Sequence, residues 1–464
     1  MSLDLQYGAQ TTCTYDSASQ VTNIFHQLTA TSTQINQATS AYNPVGNRTS
    51  LTDRRGNQAF GYDTLDRLTS ASHPLLATPQ AFAYDAVGNR TTGGSVVNAG
   101  NQLTADANYG YVYDDNGNLT RKTLLATGNY TQYTYDAENR LTKVEDFAAG
   151  NPTPAFTSTY RYDGLGRRIE KVANGQTRRY IYDGEDILLE YDGANVLQAR
   201  YTHGPGIDEP IAITKAGSTY FYHQDGLGTV TELTDASGAV AKAYAYDTHG
   251  NIVEQTGTIE TPFAYTGREL DSETGLYYYR SRYYDPRMGR FLQKDSIGLY
   301  GGINLYAYVY NNVATLKDPS GRKPNDACYN CEEEALLAAF DRACALGMQR
   351  QEYGGTIYRA PSGKYGYTFN EGRKSNLQGS VGEVEIPPAP TGSAAVGVFH
   401  SHRYSRTFSP PFDNFPGDIT PGIDNFLFSP DCEQGIVQWD FNRLTEVDLV
   451  MSDLRKKAKA CRKR

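Results

Sequence analysis

The stretch YDAVGNRTT, residues 84–92, contains the pattern that decides the fold: an aromatic residue, an aspartate, a glycine turn and then a short strand. Similar stretches are YDDNGNLTRK from Tyr113, YDAENRLTKV from Tyr135 and YDGLGRRIEKV from Tyr162. The full set of Tyr-Asp copies begins at Tyr15, Tyr62, Tyr84, Tyr113, Tyr135, Tyr162, Tyr182 and Tyr246, with a degenerate Tyr-Asn copy at Tyr42. Each copy reads as a β-hairpin in which Asp or Asn caps the turn and Gly takes the left-handed backbone position.

The composition agrees with many short strands joined by turns. Tyr (37) and Gly (45) are abundant, whereas Trp (1) and Met (4) are scarce. Tyr favours strands, and Gly supplies the positive φ angles of tight turns. A lone hairpin is barely stable in water, so the copies must stack and bury a shared face. We therefore predict that residues 1–322 are almost entirely β-structure.

The repeats resemble the YD repeats of Rhs proteins, teneurins and the C components of insecticidal toxin complexes. Residues 267–312, GRELDSETGLYYYRSRYYDPRMGRFLQKDSIGLYGGINLYAYVYNN, resemble the Rhs-associated core. The resemblance predicts a secreted polymorphic toxin with YD repeats over 1–266, the core over 267–322 and an effector domain over 323–464. It also implies a mainly β shell of stacked hairpins around a toxic cargo. Family shells usually contain more repeats, so whether this one closes stays open.

The chain changes character after residue 322. A polar, Pro-containing linker, residues 323–326, leads to the amphipathic pattern CEEEALLAAFDRACALGMQRQ, for which we expect a helix from Cys331. A shift from strand to helix periodicity across such a linker indicates a domain boundary. Cys328 and Cys331 could bind a structural zinc with a third cysteine, or be ordinary thiols or one disulfide.

Two similar motifs flank this boundary. DSIGL from Asp295 and DPSGR from Asp318 are separated by eighteen residues. The family resemblance makes Asp295 and Asp318 the catalytic pair of an aspartyl-type self-cleavage and puts the cut after Arg322. Two carboxylates held close together cannot both ionise easily, which suits one acid and one base. Ser296 and Arg322 depart from the family pattern, and the alternative is that both aspartates only cap turns.

The effector region contains AAVGVFHSHRYSRTFSPPFDNFPGDITPGIDNF from Ala394, in which a His-x-His pair falls on a predicted strand. The order of a Glu, then the His-x-His pair, then a Ser and an Asp resembles that of the JAB/JAMM (MPN-type) metallopeptidases. The resemblance implies an α/β domain that is smaller than the β shell before it. That resemblance implies a zinc ion held by His400, His402 and Asp418. It gives Glu352 the role of general base and Ser409 that of oxyanion donor, for peptide or isopeptide hydrolysis.

Several alternatives stay open for the effector. Asp413 could replace Asp418 as a ligand, and a catalytically dead JAB-like binding module would keep the fold without the chemistry. The basic tail LRKKAKACRKR, residues 454–464, favours a nuclease or nucleic-acid-binding toxin. A zinc deaminase is disfavoured because we find no His-x-Glu motif.

Charge and hydropathy bear on partners and location. The net charge of −9 makes nucleic acid an unlikely partner for the chain as a whole, and no apolar run is long enough to span a bilayer. The start of the chain lacks a signal peptide pattern. We expect synthesis in the cytoplasm and delivery out of the cell into a target cell. The resemblance implies a secretion apparatus (type VI or similar), a cognate immunity protein and a protein or peptide substrate.

Overall fold

A computed structural model describes residues 2–5, 9–18, 20–29, 31–204 and 206–322, together with the backbone of seven strands farther along the chain. The chain divides into two compact units, Met1–Asp326 and Ala327–Arg464. The divisions predicted at residues 266/267 and 322/323 stay predictions. In the described part of the chain, no helix is long and apolar enough to cross a membrane.

The first unit begins with an antiparallel sheet of eight strands, each paired with the next along the chain. Its strands are β1 (Ser2–Leu5), β2 (Ala9–Tyr15), β3 (Val21–Leu28), β4 (Gln34–Tyr42), β5 (Arg48–Asp53), β6 (Gly56–Tyr62), β7 (Leu68–Ala71) and β8 (Gln80–Ala81).

A second antiparallel sheet of sixteen strands continues the same up-and-down order. Its strands are β9 (Val96–Val97), β10 (Leu103–Ala105), β11 (Tyr109–Tyr113), β12 (Leu119–Leu124), β13 (Tyr130–Tyr135), β14 (Leu141–Phe147), β15 (Phe156–Tyr162), β16 (Arg168–Ala173), β17 (Gln176–Asp183), β18 (Asp186–Asp192), β19 (Leu197–His203), β20 (Pro210–Lys215), β21 (Ser218–Gln224), β22 (Val230–Asp235), β23 (Val240–Tyr246) and β24 (Ile252–Thr256). The prediction of a mainly β repeat region made of hairpins is confirmed.

The last part of this unit is a four-stranded antiparallel sheet, which we call the core sheet. Its strands are β25 (Glu269–Asp271), β26 (Leu276–Tyr279), β27 (Arg282–Asp285) and β28 (Arg290–Phe291). Short 3-10 turns lie beside it at Tyr265–Gly267, Gly298–Gly301 and Val309–Asn311.

The turn after Tyr162 shows why each copy folds as it does. The strand register shifts immediately before Tyr162, which marks a β-bulge. The Asp163 carboxylate then accepts hydrogen bonds from the backbone amides of Leu165 and Arg167, both at 2.9 Å. Gly166 follows with φ +82°. The aspartate and glycine roles predicted from the sequence are therefore realised in this turn.

In seven of the nine copies the tyrosine links one hairpin to the hairpin before it. The Tyr162 hydroxyl donates to the Leu141 carbonyl at 2.6 Å, at the start of the preceding return strand. Equivalent hydroxyl-to-carbonyl bonds are made by Tyr42, Tyr62, Tyr84, Tyr135, Tyr182 and Tyr246. The tyrosine thus supplies both an apolar ring for the shared face and a polar link between successive repeats.

The core sheet is buried on both faces. Leu276 and Tyr278 pack into a cluster with side chains of β10 to β15. Tyr277 and Tyr279, which alternate with them, pack into a second cluster with side chains of β7 and of β17 to β23. Because successive residues of a strand point to opposite faces, the sixteen-stranded sheet must curve around the core sheet. Enclosure of a toxic cargo by this shell stays a prediction.

The second unit contains a seven-stranded mixed sheet, for which only the backbone is described. Its strands are β29 (Tyr353–Arg359), β30 (Tyr365–Tyr367), β31 (Asn370–Glu371), β32 (Ala394–Ser401), β33 (Asp424–Phe428), β34 (Ile436–Asp440) and β35 (Thr445–Leu449). Strands β32 and β33 are parallel, and the other pairs are antiparallel. The helix predicted from Cys331 lies outside the described residues, as does Cys328.

Candidate self-cleavage site

The fold brings the two predicted catalytic aspartates to one arginine. Arg282 Nη2 lies 2.9 Å from Asp295 Oδ2 and 3.5 Å from Asp318 Oδ2. The side chains of all three residues are at most 4% exposed. Arg282 begins β27 of the core sheet, and Asp295 follows shortly after β28, so the core sheet itself sets this geometry.

Each aspartate also caps a turn, as the alternative interpretation of the sequence required. Asp295 Oδ1 accepts a hydrogen bond from the Ile297 amide, and Asp318 Oδ1 accepts one from the Arg322 amide, both at 3.1 Å. The opposite oxygen, Oδ2, is the one that faces Arg282 in both residues. The turn cap and the carboxylate pair therefore coexist on different oxygens of the same side chains.

The environment of Asp295 favours its protonated form. Burial raises the pKa of Asp295 to about 6; the nearby Arg282 cation opposes this shift, and the Asp318 carboxylate adds to it. A carboxyl group with a pKa near the working pH can both give and accept a proton. The raised pKa of Asp295, next to a second buried carboxyl group, is what is expected of one member of an acid–base pair.

The backbone just before the predicted cut is held by the stretch 280–282. The Ser281 hydroxyl donates to the carbonyls of Ser320, at 2.9 Å, and Gly321, at 2.7 Å. Arg282 Nε also donates to the Gly321 carbonyl. These bonds fix the chain in place on the N-terminal side of the predicted scissile bond.

The absence of a side chain at Gly301 lets Asp295 approach the predicted cut. A Cβ built on Gly301 would collide with Asp295 Oδ2, and it would also lie 2.8 Å from the Arg322 carbonyl oxygen. Asp295 Oδ2 and the Arg322 carbonyl oxygen therefore both lie next to Gly301. Any other residue at position 301 would fill the space between them.

Sequence reasoning missed three of these contributors: Ser281, Arg282 and Gly301. The signal was an Arg-Ser-Arg run between two tyrosine-rich strands, where a buried cation needs carboxylate partners. Nothing in the motif spacing alone indicated that the arginine lies between the two aspartates.

The predicted effector site is described only in part. His400 lies on β32, whose backbone pairs with β29 so that Gly354 is opposite His400. Strand β29, which contains Gly354, is therefore next to the His-x-His strand β32 in the sheet. The other predicted site residues, and with them the zinc site, lie outside the described residues: Glu352, His402, Ser409, Asp413 and Asp418.

Comparison with known proteins identifies the shell. A family model described as the teneurin YD-shell matches residues 4–312. The chain belongs to the teneurin YD-shell family. The match includes the YD repeats and nearly all of the core segment, so the YD-repeat shell predicted from the sequence is confirmed.

Two curated relatives of this YD-shell chain carry different names. This chain is 36% identical over 280 residues to the tRNA3(Ser)-specific nuclease WapA of Bacillus spizizenii. The aligned region covers 56% of this chain and 12% of that relative. This chain is 32% identical over 307 residues to the double-stranded DNA deaminase toxin A of Burkholderia cenocepacia, which covers 58% and 21%. The chain thus spans only a minor part of the length of these relatives.

A solved structure shares the YD-shell fold. The crystal structure of TcdB2-TccC3-TEV aligns over 68% of this chain and 18% of that one, with a TM-score of 0.56 and 21% sequence identity. This likeness supports the architecture of the shell and nothing about its activity.

Proposed function

We propose that this chain is a polymorphic toxin whose YD-shell cuts its own backbone after Arg322 and so separates residues 1–322 from the effector. The observation that carries the proposal is the buried Asp295–Arg282–Asp318 group, with Asp295 Oδ2 and the Arg322 carbonyl oxygen both next to Gly301. Elsewhere in the described shell, the aspartates of the YD turns are more exposed than this pair, for example Asp163 at 22%.

In the proposed reaction, Asp295 is the acid and Asp318 the base. Protonated Asp295 donates a hydrogen bond to the Arg322 carbonyl oxygen, and ionised Asp318 takes a proton from the attacking water. The C–N bond between Arg322 and Lys323 breaks, and the leaving nitrogen receives a proton. The products are a carboxylate at Arg322 and an amine at Lys323. Arg282, whose Nη2 lies 3.5 Å from Asp318 Oδ2, stabilises negative charge on that carboxylate.

The test is the size of the purified protein. Wild type should give two fragments, the second beginning at Lys323 by N-terminal sequencing and intact mass. Asp295→Asn and Asp318→Asn should stay whole, whereas the control Asp163→Asn, which alters a turn cap and its surface ion pair with Arg167, should still be cut. An uncut but folded wild type would refute the proposal, and a cut that persists in both variants would indicate an outside protease.

For the effector, we propose action on a nucleic acid. The two relatives above are named for acting on tRNA and on double-stranded DNA, and the last eleven residues of this chain are strongly basic. Those names weaken the expectation that nucleic acid is an unlikely partner. They also differ from each other, so the shared shell does not by itself determine the chemistry of the effector.

A zinc peptidase is the second candidate for the effector. Its support is the backbone pairing that puts Gly354, two residues after Glu352, opposite His400. In this case His400, His402 and Asp418 would hold the metal, with Glu352 as base and Ser409 beside the carbonyl oxygen.

One set of variants of the full chain separates the two candidates. Incubation with tRNA, duplex DNA and a mixed peptide library should show loss of a nucleic acid, which Lys456→Gln with Lys457→Gln weakens and Glu352→Gln leaves unchanged. Peptide cleavage that Glu352→Gln abolishes would instead favour the peptidase. Toxicity without either activity would favour a JAB-like binding module.

The proposed toxin also needs partners. We propose export by a secretion apparatus of type VI or a similar kind, delivery into a target cell, and a cognate immunity protein in the producing cell. Expression of the chain without its neighbouring gene should inhibit growth, and co-expression with that gene should restore it. Equal growth in both conditions would contradict the proposal.

A further inference from the structure

A second polar site lies where the eight-stranded and sixteen-stranded sheets meet. It is a cavity of about 370 Å³ between residues 80–108 and residues 287–311, which we call the arginine pocket. A water molecule occupies about 30 Å³ in the liquid, so the pocket has room for a small ligand or several waters. Three arginines line it: Arg90, Arg287 and Arg290.

Arg290 is buried without a charged partner. The residue is 7% exposed, and its guanidinium lies over the Tyr306 ring at 4.9 Å. One nitrogen donates to the Asn101 carbonyl, but Nε is buried and has no acceptor among the described residues. Burial lowers the pKa of Arg290, and the nearby Arg90 cation lowers it further.

Arg90, which is half-buried, also has a guanidinium nitrogen without an acceptor within the described shell. Its guanidinium lies over the Phe82 ring at 4.9 Å, and Nη2 is buried with no acceptor in the described part of the chain. A Cβ on Gly289 would collide with this nitrogen, so Arg90 reaches the backbone immediately beside Arg290. The two unsatisfied guanidinium nitrogens therefore belong to one site.

The deeply buried arginines of the shell other than Arg290 are different, because each has a carboxylate partner. Arg168 pairs with Asp271, Arg268 with Asp208, and Arg282 with Asp295. Among the described residues, neither Arg90 nor Arg290 forms such an ion pair. The buried Arg290 and the half-buried Arg90 lie at one pocket with no counter-ion for either from the part of the chain that the structure describes, which is costly, so an anion at this place would lower the free energy of the fold.

The pocket itself cannot supply that anion. The one acidic residue in its lining is Asp106. The Asp106 carboxylate already accepts hydrogen bonds from the amides of Asn108, at 2.7 Å, and Tyr109, at 2.8 Å, and from the Tyr111 hydroxyl. Its lone pairs are therefore directed at its own turn and the neighbouring strand.

We propose that the arginine pocket binds a small phosphate-class oxyanion, either free phosphate or the phosphate group of a small ester. Guanidinium groups match the planar, bidentate geometry that phosphate oxygens accept, and they do so best when partly desolvated. The polar neighbours that line the pocket, Thr92 and Ser95 among them, can complete the contacts.

The experiment titrates the full chain with inorganic phosphate at constant ionic strength, followed by calorimetry and ³¹P line broadening. Wild type should bind one phosphate saturably, with sulfate competing and chloride not. Arg90→Gln should weaken binding by about tenfold or more, the effect of one lost charge-assisted hydrogen bond. Thr92→Glu, which puts a carboxylate inside the pocket, should abolish binding. This variant provides a test that does not depend on whether Arg290→Gln folds.

The matched control is Arg161→Gln, since Arg161 is an arginine of the same shell with a side chain 74% exposed. It should bind phosphate as wild type does. Absence of saturable binding in wild type, or unchanged affinity in both Arg90→Gln and Thr92→Glu, would overturn the proposal. A comparison of phosphate with phosphoserine and AMP identifies the source, because an ester binds more tightly only if the pocket recognises more than the phosphate group.

Discussion

Replacement of Arg168 by Met should be among the most destabilising single changes in the shell. The Arg168 guanidinium contacts Asp271 Oδ2 at 2.5 Å and Glu269 Oε2 at 2.9 Å. The arginine and Asp271 side chains are each 1% exposed, and that of Glu269 is 4% exposed. Arg168 therefore joins β16 of the repeat sheet to β25 of the core sheet through a group that water does not reach.

The magnitude follows from what remains after the substitution. Asp271 would keep Lys171 Nζ at 2.9 Å, and Glu269 would keep Arg268 Nη2 at 3.6 Å. Loss of one partner of a buried pair costs about 3–5 kcal/mol, and these residual cations favour the lower end. Lost stacking on the Tyr278 ring, 4.6 Å away, adds about 1 kcal/mol. We expect about 4 kcal/mol in total, or a fall in Tm of about 6 °C for cooperative unfolding of about 320 residues.

Thermal unfolding of the whole chain measures this cost, and Arg167→Met is the matched control. Arg167 is the preceding arginine, but its side chain is 27% exposed and pairs with Asp163 on the surface, so its loss should cost less than about 1 kcal/mol. Arg168→Met combined with Asp271→Asn and Glu269→Gln should recover much of the stability, because no unpaired charge remains. Equal losses in the two arginine variants would refute the reasoning.

The stability lost in Arg168→Met should also depend on pH. Burial alone would raise the pKa of Asp271, but Arg168 and Lys171 lower it below its ordinary value of 3.8. The ionised carboxylate therefore stabilises the fold above pH 3.8, and this contribution disappears as the pH falls through the lowered pKa. The difference between wild type and Arg168→Met should be full at pH 7 and should shrink below pH 3.8.

Three further results are expected. Tyr162→Phe removes the 2.6 Å bond to the Leu141 carbonyl and should cost about 1 kcal/mol in thermal unfolding; an unchanged Tm would contradict the linking role of the tyrosines. Gly117→Ala should destabilise more than Gly150→Ala, because both have positive φ but only the first has side chains packed against it. Self-cleavage during cell-free synthesis should slow by roughly tenfold per pH unit above about 6, as Asp295 ionises; a rate that rises with pH would exclude it as the acid.

The repeat turns were predictable because their physics is local. Asp163, Gly166 and the strand that follows them occupy a few consecutive residues, and the sequence repeats this solution many times. The bulge before Tyr162 and its hydroxyl bond to Leu141 were not predictable in the same way. They depend on how one hairpin sits on the hairpin before it, which no single copy specifies.

The site at the junction was predictable only as a pair of positions. Motif spacing indicated Asp295 and Asp318, but it gave no reason for Arg282 to lie between them. That contact depends on the path of the core sheet, because β27 lies next to the stretch that ends at residue 322. The partners of Arg168 show the same limit, since Asp271 is about a hundred residues away in sequence.

The burial of Leu276–Tyr279 on both faces has a consequence for the order of folding. One face of this strand needs β10 to β15 and the other needs β17 to β23, so the strand cannot be seated until both halves of the repeat sheet exist. Arg282 is three residues beyond it, and the two aspartates meet only around that arginine. We therefore expect the carboxylate pair to form only after both halves of the repeat sheet have folded. Any chemistry at this junction reports that the preceding repeats have already folded.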